Sequence, residues 1–362
     1  MKQSFMKYLN KYLVISTIAA LALFAGCQKD VTDGNEGNVD PASQPSAYVL
    51  NEGSYGSNDS DLSLVNTSTG TINKTFFSST NNRLLGNTAQ DLIAYGSKLY
   101  VTVTFSNTVE VVNPKTGKSI KQIDFGQRNP RYMVAHNGKV YVSCYDKTVV
   151  RIDTATLSIE GSCPLSGMRP EGMCESGGKL YVCNSWEYTD NNSVIYDSTI
   201  SVVDISTFQE TKKITVSANP QRIKALANGK IAIICGNGYY NAAVTTVLDA
   251  ATESLTDLQL EASNMDVMDN TLYVYHYDYS THQYAFWQVD GNTLQKTPLL
   301  QNCSASFVMP YGINVNPANG DIYITDAQNY TSNGDVYCFA PDGTLHWRAE
   351  TVMGPSKVVF IP

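Results

Sequence analysis

The chain is short of histidine, short of basic residues and without a long apolar run after position 24, and each shortage removes a class of function. Only four histidines occur, His136, His276, His282 and His346, and none stands at a metal-ligand spacing from cysteine or carboxylate. Lys and Arg total 25 against 33 Asp and Glu, a balance that argues against nucleic acid or another polyanion as partner. No nucleophile elbow, phosphate-cradling glycine loop or nucleotide fingerprint is present. Neither a catalytic centre nor a resident metal or cofactor is therefore expected. Helical periodicity is nowhere sustained after the first 24 residues. Cysteine is present, but the seven residues after Cys27 are odd in number and cannot all pair within one chain. Most of them sit in apolar strand-like runs, such as Val142-Ser143-Cys144 and Ile233-Ile234-Cys235, which is the setting of buried free thiols. Cys174 and Cys183 flank a Gly177-Gly178 turn, yet pairing across that turn sets Cys174 opposite Tyr181.

What is there begins with an address. Lys2, Lys7 and Lys11 precede a charge-free apolar run from Tyr12 to Phe24, and Phe24-Ala25-Gly26-Cys27 closes it with small residues before a cysteine. The run is too short to span a bilayer as a permanent helix. Residues 1–26 read as a lipoprotein signal peptide and Cys27 as the lipidation site; an ordinary secretory leader with an incidental cysteine is the competing reading, and Phe24 stands where bacterial lipoboxes usually carry Leu. Gln28-Lys29-Asp30 resembles the tag that sends lipoproteins of the Bacteroidetes to the outer face of the outer membrane, which implies a cell-surface lipoprotein held by its lipid anchor. Residues 27–46 are polar, rich in Asp, Asn, Gly, Ser and Pro, and read as a flexible tether. Loss of residues 1–26 removes three lysines and no acid, leaving 22 basic against 33 acidic residues and a net charge of −11.

From Ala47 onward one phrase recurs, a turn followed by an apolar-Tyr-apolar strand. It reads Lys98-Leu99-Tyr100-Val101, Lys139-Val140-Tyr141-Val142, Lys179-Leu180-Tyr181-Val182, Thr271-Leu272-Tyr273-Val274 and Asp321-Ile322-Tyr323-Ile324, with weaker copies at Ala47-Tyr48-Val49-Leu50 and Lys230-Ile231-Ala232-Ile233. The seven central positions, 48, 100, 141, 181, 232, 273 and 323, lie 52, 41, 40, 51, 41 and 50 residues apart, close to the period of a four-stranded propeller blade. Downstream of each Tyr strand a second apolar strand ends in Asn or Asp, as in Val111-Val112-Asn113, Arg151-Ile152-Asp153, Val202-Val203-Asp204 and Gln288-Val289-Asp290, where a short polar side chain caps the next turn. Upstream, another strand often opens with proline: Pro130, Pro170, Pro220, Pro310. The chain enters on a Tyr-type strand and leaves on a proline-type strand, Gly354 to Phe360. The spacing predicts one all-β domain, residues 47–362, a seven-bladed β-propeller in which the C-terminal inner strand closes the N-terminal blade.

In such a blade the turns between the first and second strands lie on one face, and here they are compact, as in Asn137-Gly138-Lys139. The loops between the second and third strands lie on the other face, and all seven carry aromatics: Tyr55, Phe105, Tyr145, Trp186 with Tyr188 and Tyr196, Tyr239 with Tyr240, Tyr277 with Tyr279, and Tyr330. The starts of the inner strands share that face and supply Gln90, Asp91, Arg131, Tyr132, Glu171, Gln221, Arg222, Ser263, Asn264, Tyr311, Ser356 and Lys357. Together they predict a polar channel mouth ringed by aromatics, suited to a large amphipathic or sugar-like ligand. The competing reading is that tyrosine is abundant, 23 in all, and that several loop aromatics only cover blade edges. Asp91, Glu171 and Asn264 are the three oxygen donors that could hold a divalent ion near the axis, as in propeller lactonases.

Through its repeated Lys-x-Tyr-Val strands the region from Ala47 onward resembles the YVTN/YncE-like propellers. A narrower resemblance rests on Leu50-Asn51-Glu52-Gly53-Ser54-Tyr55, Ala89-Gln90-Asp91 and Asn316-Pro317-Ala318-Asn319-Gly320-Asp321-Ile322-Tyr323-Ile324-Thr325-Asp326-Ala327. These segments are similar to those of the BtuG-type surface lipoproteins of Bacteroides. That resemblance implies a non-enzymatic protein that captures cobalamin or a related corrinoid as a transported ligand and hands it to a TonB-dependent outer-membrane transporter. A metal-dependent propeller lactonase or lyase, and a binding protein for another large nutrient such as a glycan, are the alternatives.

Overall fold

The computed structural model describes residues 32–42, 44–236, 243–301 and 303–361. The apolar-Tyr-apolar segments form the second strand of each blade: Ser46–Asn51, Lys98–Val103, Lys139–Cys144, Lys179–Tyr188, Lys230–Cys235, Thr271–Asp278 and Ile322–Asp326. Their central residues, Tyr48, Tyr100, Tyr141, Tyr181, Ala232, Tyr273 and Tyr323, are all buried. These strands are apolar on both sides because each blade is covered by a neighbour on either face. The blades are antiparallel sheets of four propeller strands. Seven of them make a ring, and the molecule is a seven-bladed β-propeller.

The inner strands, Ala89–Tyr95, Pro130–His136, Arg169–Ser176, Pro220–Ala225, Asn264–Met268, Pro310–Val315 and Pro355–Phe360, follow one another around the axis. The last of them belongs to the first blade, with Ala47 opposite Phe360, Tyr48 opposite Val359 and Val49 opposite Val358. The ring is thus closed by pairing the two ends of the domain, as the strand order in the sequence predicts. Two glycines mark how closely inner strands approach. A Cβ on Gly172 would lie 2.6 Å from the carbonyl oxygen of Gln221, and one on Gly312 would collide with the carbonyl of Ser356. Only glycine fits at such contacts.

The core lies between blades. Tyr100, Val109 and Val111 of the second blade pack on Met133, Val140 and Val142 of the third. At the closing seam, Tyr323, Trp347 and Val336 pack on Ala47, Val49 and Val358. Each such apolar side chain contributes about 1.5–3 kcal/mol when fully buried. The Asn and Asp residues that end the third strands act in their turns. Asp153 Oδ1 accepts from the amides of Ala155 and Thr156, Asp204 Oδ1 from Ser206 and Thr207, and Asp290 Oδ1 from Asn292 and Thr293. The Ser206 hydroxyl and the Thr207 amide hold the Asp204 carboxyl below the usual carboxylate range, and the Thr293 amide and hydroxyl do the same for Asp290.

Two features depart from the sequence reading. A short helix, Phe76–Asn81, follows the two-residue outer strand Ile72–Asn73 and buries Phe76 and Phe77. It is shorter than two helical turns, so no sustained period announces it. Part of the stretch read as a tether lies along the blade edges: Gly34 N donates to Arg348 O at 2.6 Å, Gly37 N to Ile72 O at 2.9 Å, and Val39 is buried. Backbone bonds to an open strand edge need few apolar side chains, which is why composition alone does not reveal them. Cys27 lies outside the described residues.

Candidate functional site

Irregular strand starts, most of them at proline, set up the site. In the inner strands that begin around Pro130, Pro170, Pro220, Pro310 and Pro355, the register with the second strand breaks within the first few residues, as it also does between Ala89 and Asp91, where no proline stands. Proline offers no N–H to the ladder, and an irregularity at a strand start re-aims the side chains that follow it. Arg131, Tyr132, Glu171, Arg222 and Tyr311 occupy these positions.

Their side chains form a connected polar mouth. Arg131 Nε and Nη2 both reach Glu171 Oε2, at 3.0 and 2.8 Å, and Tyr145 donates its hydroxyl to Glu171 Oε1 at 2.6 Å. Arg131 also donates to Gln90 Oε1, and Gln90 Nε2 donates to the Tyr132 hydroxyl at 3.0 Å. Arg222, two blades further round, donates to the same Tyr132 hydroxyl. Burial pushes the Tyr132 phenol up to about 12, with the Arg222 and Arg131 charges opposing. On the far side, Tyr311 donates to Glu52 Oε2 at 2.9 Å. Burial raises the Glu52 carboxyl, against the hydrogen bond from Tyr311 and the charges of Arg222 and Arg131.

An aromatic wall stands beside this mouth. The Arg169 guanidinium lies 5.3 Å from the ring centre of Tyr145, 4.6 Å from that of Trp186 and 5.3 Å from that of Tyr188. Trp186 meets Tyr145 and Tyr188 edge-on, at 5.9 and 4.9 Å. The wall is carried by the long hairpin of Lys179–Tyr188 and Val194–Asp204, in which Tyr188, Val194, Ile195 and Tyr196 are exposed. Elsewhere on the rim Tyr55 stands edge-on to Phe105 at 4.9 Å, and Tyr330 packs on Tyr311 at 5.2 Å. Exposed large apolar side chains gather on this face at Tyr55, Phe105, Tyr188, Val194 to Tyr196, Val308 and Tyr330, whereas Ile120, Ile159 and Leu255 lie on outer strands.

Below the mouth the axis holds a cavity of about 310 Å³ lined by residues that include Glu52, Gln90, Asp91, Tyr132, Arg222, Asn264 and Tyr311. Charges in the same lining are paired. Lys357 Nζ lies 2.6 Å from Asp91 Oδ1, and Lys224 Nζ lies 3.0 Å from Asp266 Oδ1.

The structure thus brings Gln90, Arg131, Tyr132, Tyr145, Glu171, Arg222 and Tyr311 together, with Trp186 and Tyr188 beside them. Tyr55 and Phe105 stand on the rim, and Asn264 lines the cavity, where its Nδ2 donates to Tyr311 O at 3.4 Å. Tyr277 is a correction. It is only 1% exposed and hydrogen-bonds His282 Nδ1 at 2.8 Å, because it shares the core-facing side of its strand with Tyr273 and Tyr275. Its neighbour Tyr279 is the ring that approaches Tyr330, at 3.4 Å between hydroxyls. Gln221 is half-buried and donates to Asn219 Oδ1 at 3.2 Å, outside the cavity lining. Tyr239 and Tyr240 lie outside the described residues. Asp91 and Glu171 are already taken by Lys357 and Arg131, and the described residues contain no cluster of three or more His, Cys, Asp or Glu able to hold a metal. Sequence reasoning missed Glu52 and Arg169. Arg169 directly precedes Pro170, and that proximity to a strand-opening proline is the signal that could have found it.

Residues 46–344 match the family model described as "Domain of unknown function (DUF5074)". No curated protein matches the chain. Among solved structures, the chain is similar to a quinonprotein alcohol dehydrogenase-like protein from Bacteroides thetaiotaomicron, at 14% identity and a TM-score of 0.61 over 89% of this chain and 79% of that one. It is also similar to the computationally designed Ika8 protein, at 14% identity and a TM-score of 0.58 over 91% and 99% of the two chains. A streptogramin B lyase matches at 10% identity and a TM-score of 0.54, over 71% and 81%. At these identities the likeness shows the fold alone.

Proposed function

The chain belongs to the DUF5074 family, whose description assigns no activity, and from that premise we propose that it is a surface-anchored capture protein. In this reading its aromatic-walled mouth binds cobalamin or a related corrinoid and delivers it to a TonB-dependent outer-membrane transporter. The observation that carries the binding reading is the position of Arg169 over Tyr145, Trp186 and Tyr188 beside the polar mouth. A corrinoid is broad, apolar across its ring system and fringed with amides. Aromatic faces suit the ring, while Arg131, Gln90 and Asn264 offer donors and acceptors to the amides. Binding without turnover fits the engagement of Asp91 and Glu171 by cations, since neither carboxylate is left open for a metal or a proton transfer.

Fluorescence titration of the purified protein with cyanocobalamin, and separately with maltoheptaose, tests the ligand class. Saturable binding of cyanocobalamin alone supports the reading. Binding of the glycan alone, or calcium-dependent hydrolysis of a lactone, replaces it. The proposed address rests on Cys27 and on Gln28-Lys29-Asp30. Protease shaving of intact cells should remove the protein, and resistance to shaving with loss after lysis would exclude surface display.

A further inference from the structure

Among the described residues, positive charges around the mouth and channel are matched with carboxylates, with one exception. Arg131 pairs with Glu171 at 2.8 Å, Arg169 with Glu187 at 3.1 Å, Lys224 with Asp266 at 3.0 Å and Lys357 with Asp91 at 2.6 Å. Arg222 lines the same cavity and forms no ion pair among the described residues. Its side chain donates to the Tyr132 hydroxyl and lies 5.0 Å from the centre of that ring. A guanidinium carries five N–H donors in a planar fork, so most of this fork is unspent, and a charge removed from bulk water favours a counter-charge. Glu52 is the converse case on the other wall. It takes a hydrogen bond from the Tyr311 hydroxyl and forms no ion pair among the described residues. The cavity therefore has a cation on one wall and a carboxylate on another, not joined to each other.

We propose that Arg222 anchors an anion-binding subsite in the channel, which takes a phosphate or carboxylate group carried by the ligand. The fork of Arg222 matches two oxygens of such a group side by side. Tyr132, two blades back round the ring, holds the guanidinium in place and is itself fixed by Gln90. Glu52 faces the same space and opposes the incoming negative charge, so it limits the affinity of the subsite and disfavours ligands without a donor group on that side.

The inference rests on the reading of this mouth as a ligand site, but the anion is measured without any corrinoid, so the two fail separately. Inorganic phosphate is titrated with the protein at low ionic strength and followed by phosphorus NMR; propionate is followed by proton NMR in a parallel series. Saturable broadening of either resonance is expected. Arg222→Gln should weaken the interaction by about tenfold or more, Arg222→Lys should fall between, and Glu52→Gln should strengthen it severalfold while still accepting from Tyr311. Binding of phosphate alone supports a phosphate-bearing ligand, and binding of propionate alone supports a carboxylate-bearing one. Saturable binding of neither anion, or equal binding by wild type and Arg222→Gln, overturns the subsite. If Arg222→Gln does not fold, the Arg222→Lys and Glu52→Gln pair decides, and no change in either overturns it.

Discussion

Lys357 Nζ stands 2.6 Å from Asp91 Oδ1, so the last strand of the chain, which closes the first blade, is also tied to the second. The other oxygen of the same carboxylate accepts from Met133 N at 2.8 Å. One buried side chain of the second blade therefore fastens the first and the third. Asp91→Ala leaves the Lys357 ammonium and the Met133 amide without their partner, and because the Lys357 side chain remains 24% exposed the loss is that of charge-assisted hydrogen bonds, about 1.5–3 kcal/mol. Urea unfolding of Asp91→Ala and of the double variant Asp91→Ala/Lys357→Met measures this. The single variant should be the less stable of the two, and a single variant within about 1 kcal/mol of wild type would show that the junction of these blades does not depend on the pair.

Glu52 gives a pH dependence with a definite sign. Burial raises its folded-state carboxyl above the value in the unfolded chain, so the folded state holds this proton more tightly. The stability it contributes is fully present below the ordinary carboxylate range and is lost as pH rises through the folded value. Glu52→Gln removes the charge and keeps an acceptor for Tyr311. Thermal unfolding should show the variant gaining on wild type at pH 7 and gaining less at pH 4. A gain of the same size at both pH values would assign the effect to something other than ionisation.

Cysteine reactivity should follow burial. Cys144, Cys163, Cys174, Cys183, Cys235 and Cys338 are buried, and Cys303 alone of the seven is partly exposed. Burial raises every one of these thiols, with Cys235 and Cys338 pushed up to about 12, so little thiolate forms at neutral pH. Brief iodoacetamide treatment of the folded protein, read by peptide mass mapping of residues 47–362, should label Cys303 first. Prior labelling of Cys183 or Cys235 would mean that their blades open far more often than the packing allows.

The blade count and the closing strand were legible because both depend on local pattern: an apolar-Tyr-apolar run buried on both faces, a proline where an inner strand begins, and Asn or Asp where a third strand ends. The side chains at the strand starts were legible for the same reason, since Arg131, Glu171 and Tyr311 directly follow a strand-opening proline, and Arg222, like Tyr132, stands two residues after one. The wall was only half legible. Trp186 and Tyr188 are visible as loop aromatics, but Arg169 joins them through a contact between the start of an inner strand and the next strand's far end, and no period encodes that. Tyr277 shows the opposite failure. The strand Thr271–Asp278 continues past the point where a loop was expected, and alternation then turns Tyr277 inward with Tyr273 and Tyr275. Glu52 passed unnoticed because its burial is created by the closing strand and the seventh blade, remote in sequence.

Calorimetric titration of cyanocobalamin into wild type, Trp186→Ala and Lys139→Ala tests the central claim most directly. Trp186 stands in the aromatic wall, whereas Lys139 lies on the opposite face, paired with Asp153 at 2.6 Å and Glu160 at 2.7 Å. Loss of an aromatic anchor costs about 2 kcal/mol, or roughly thirtyfold in affinity. The account predicts saturable binding by wild type, an unchanged Kd for Lys139→Ala and a Kd about thirtyfold weaker for Trp186→Ala. Absence of saturable binding by wild type, or an equal Kd for wild type and Trp186→Ala, would contradict it.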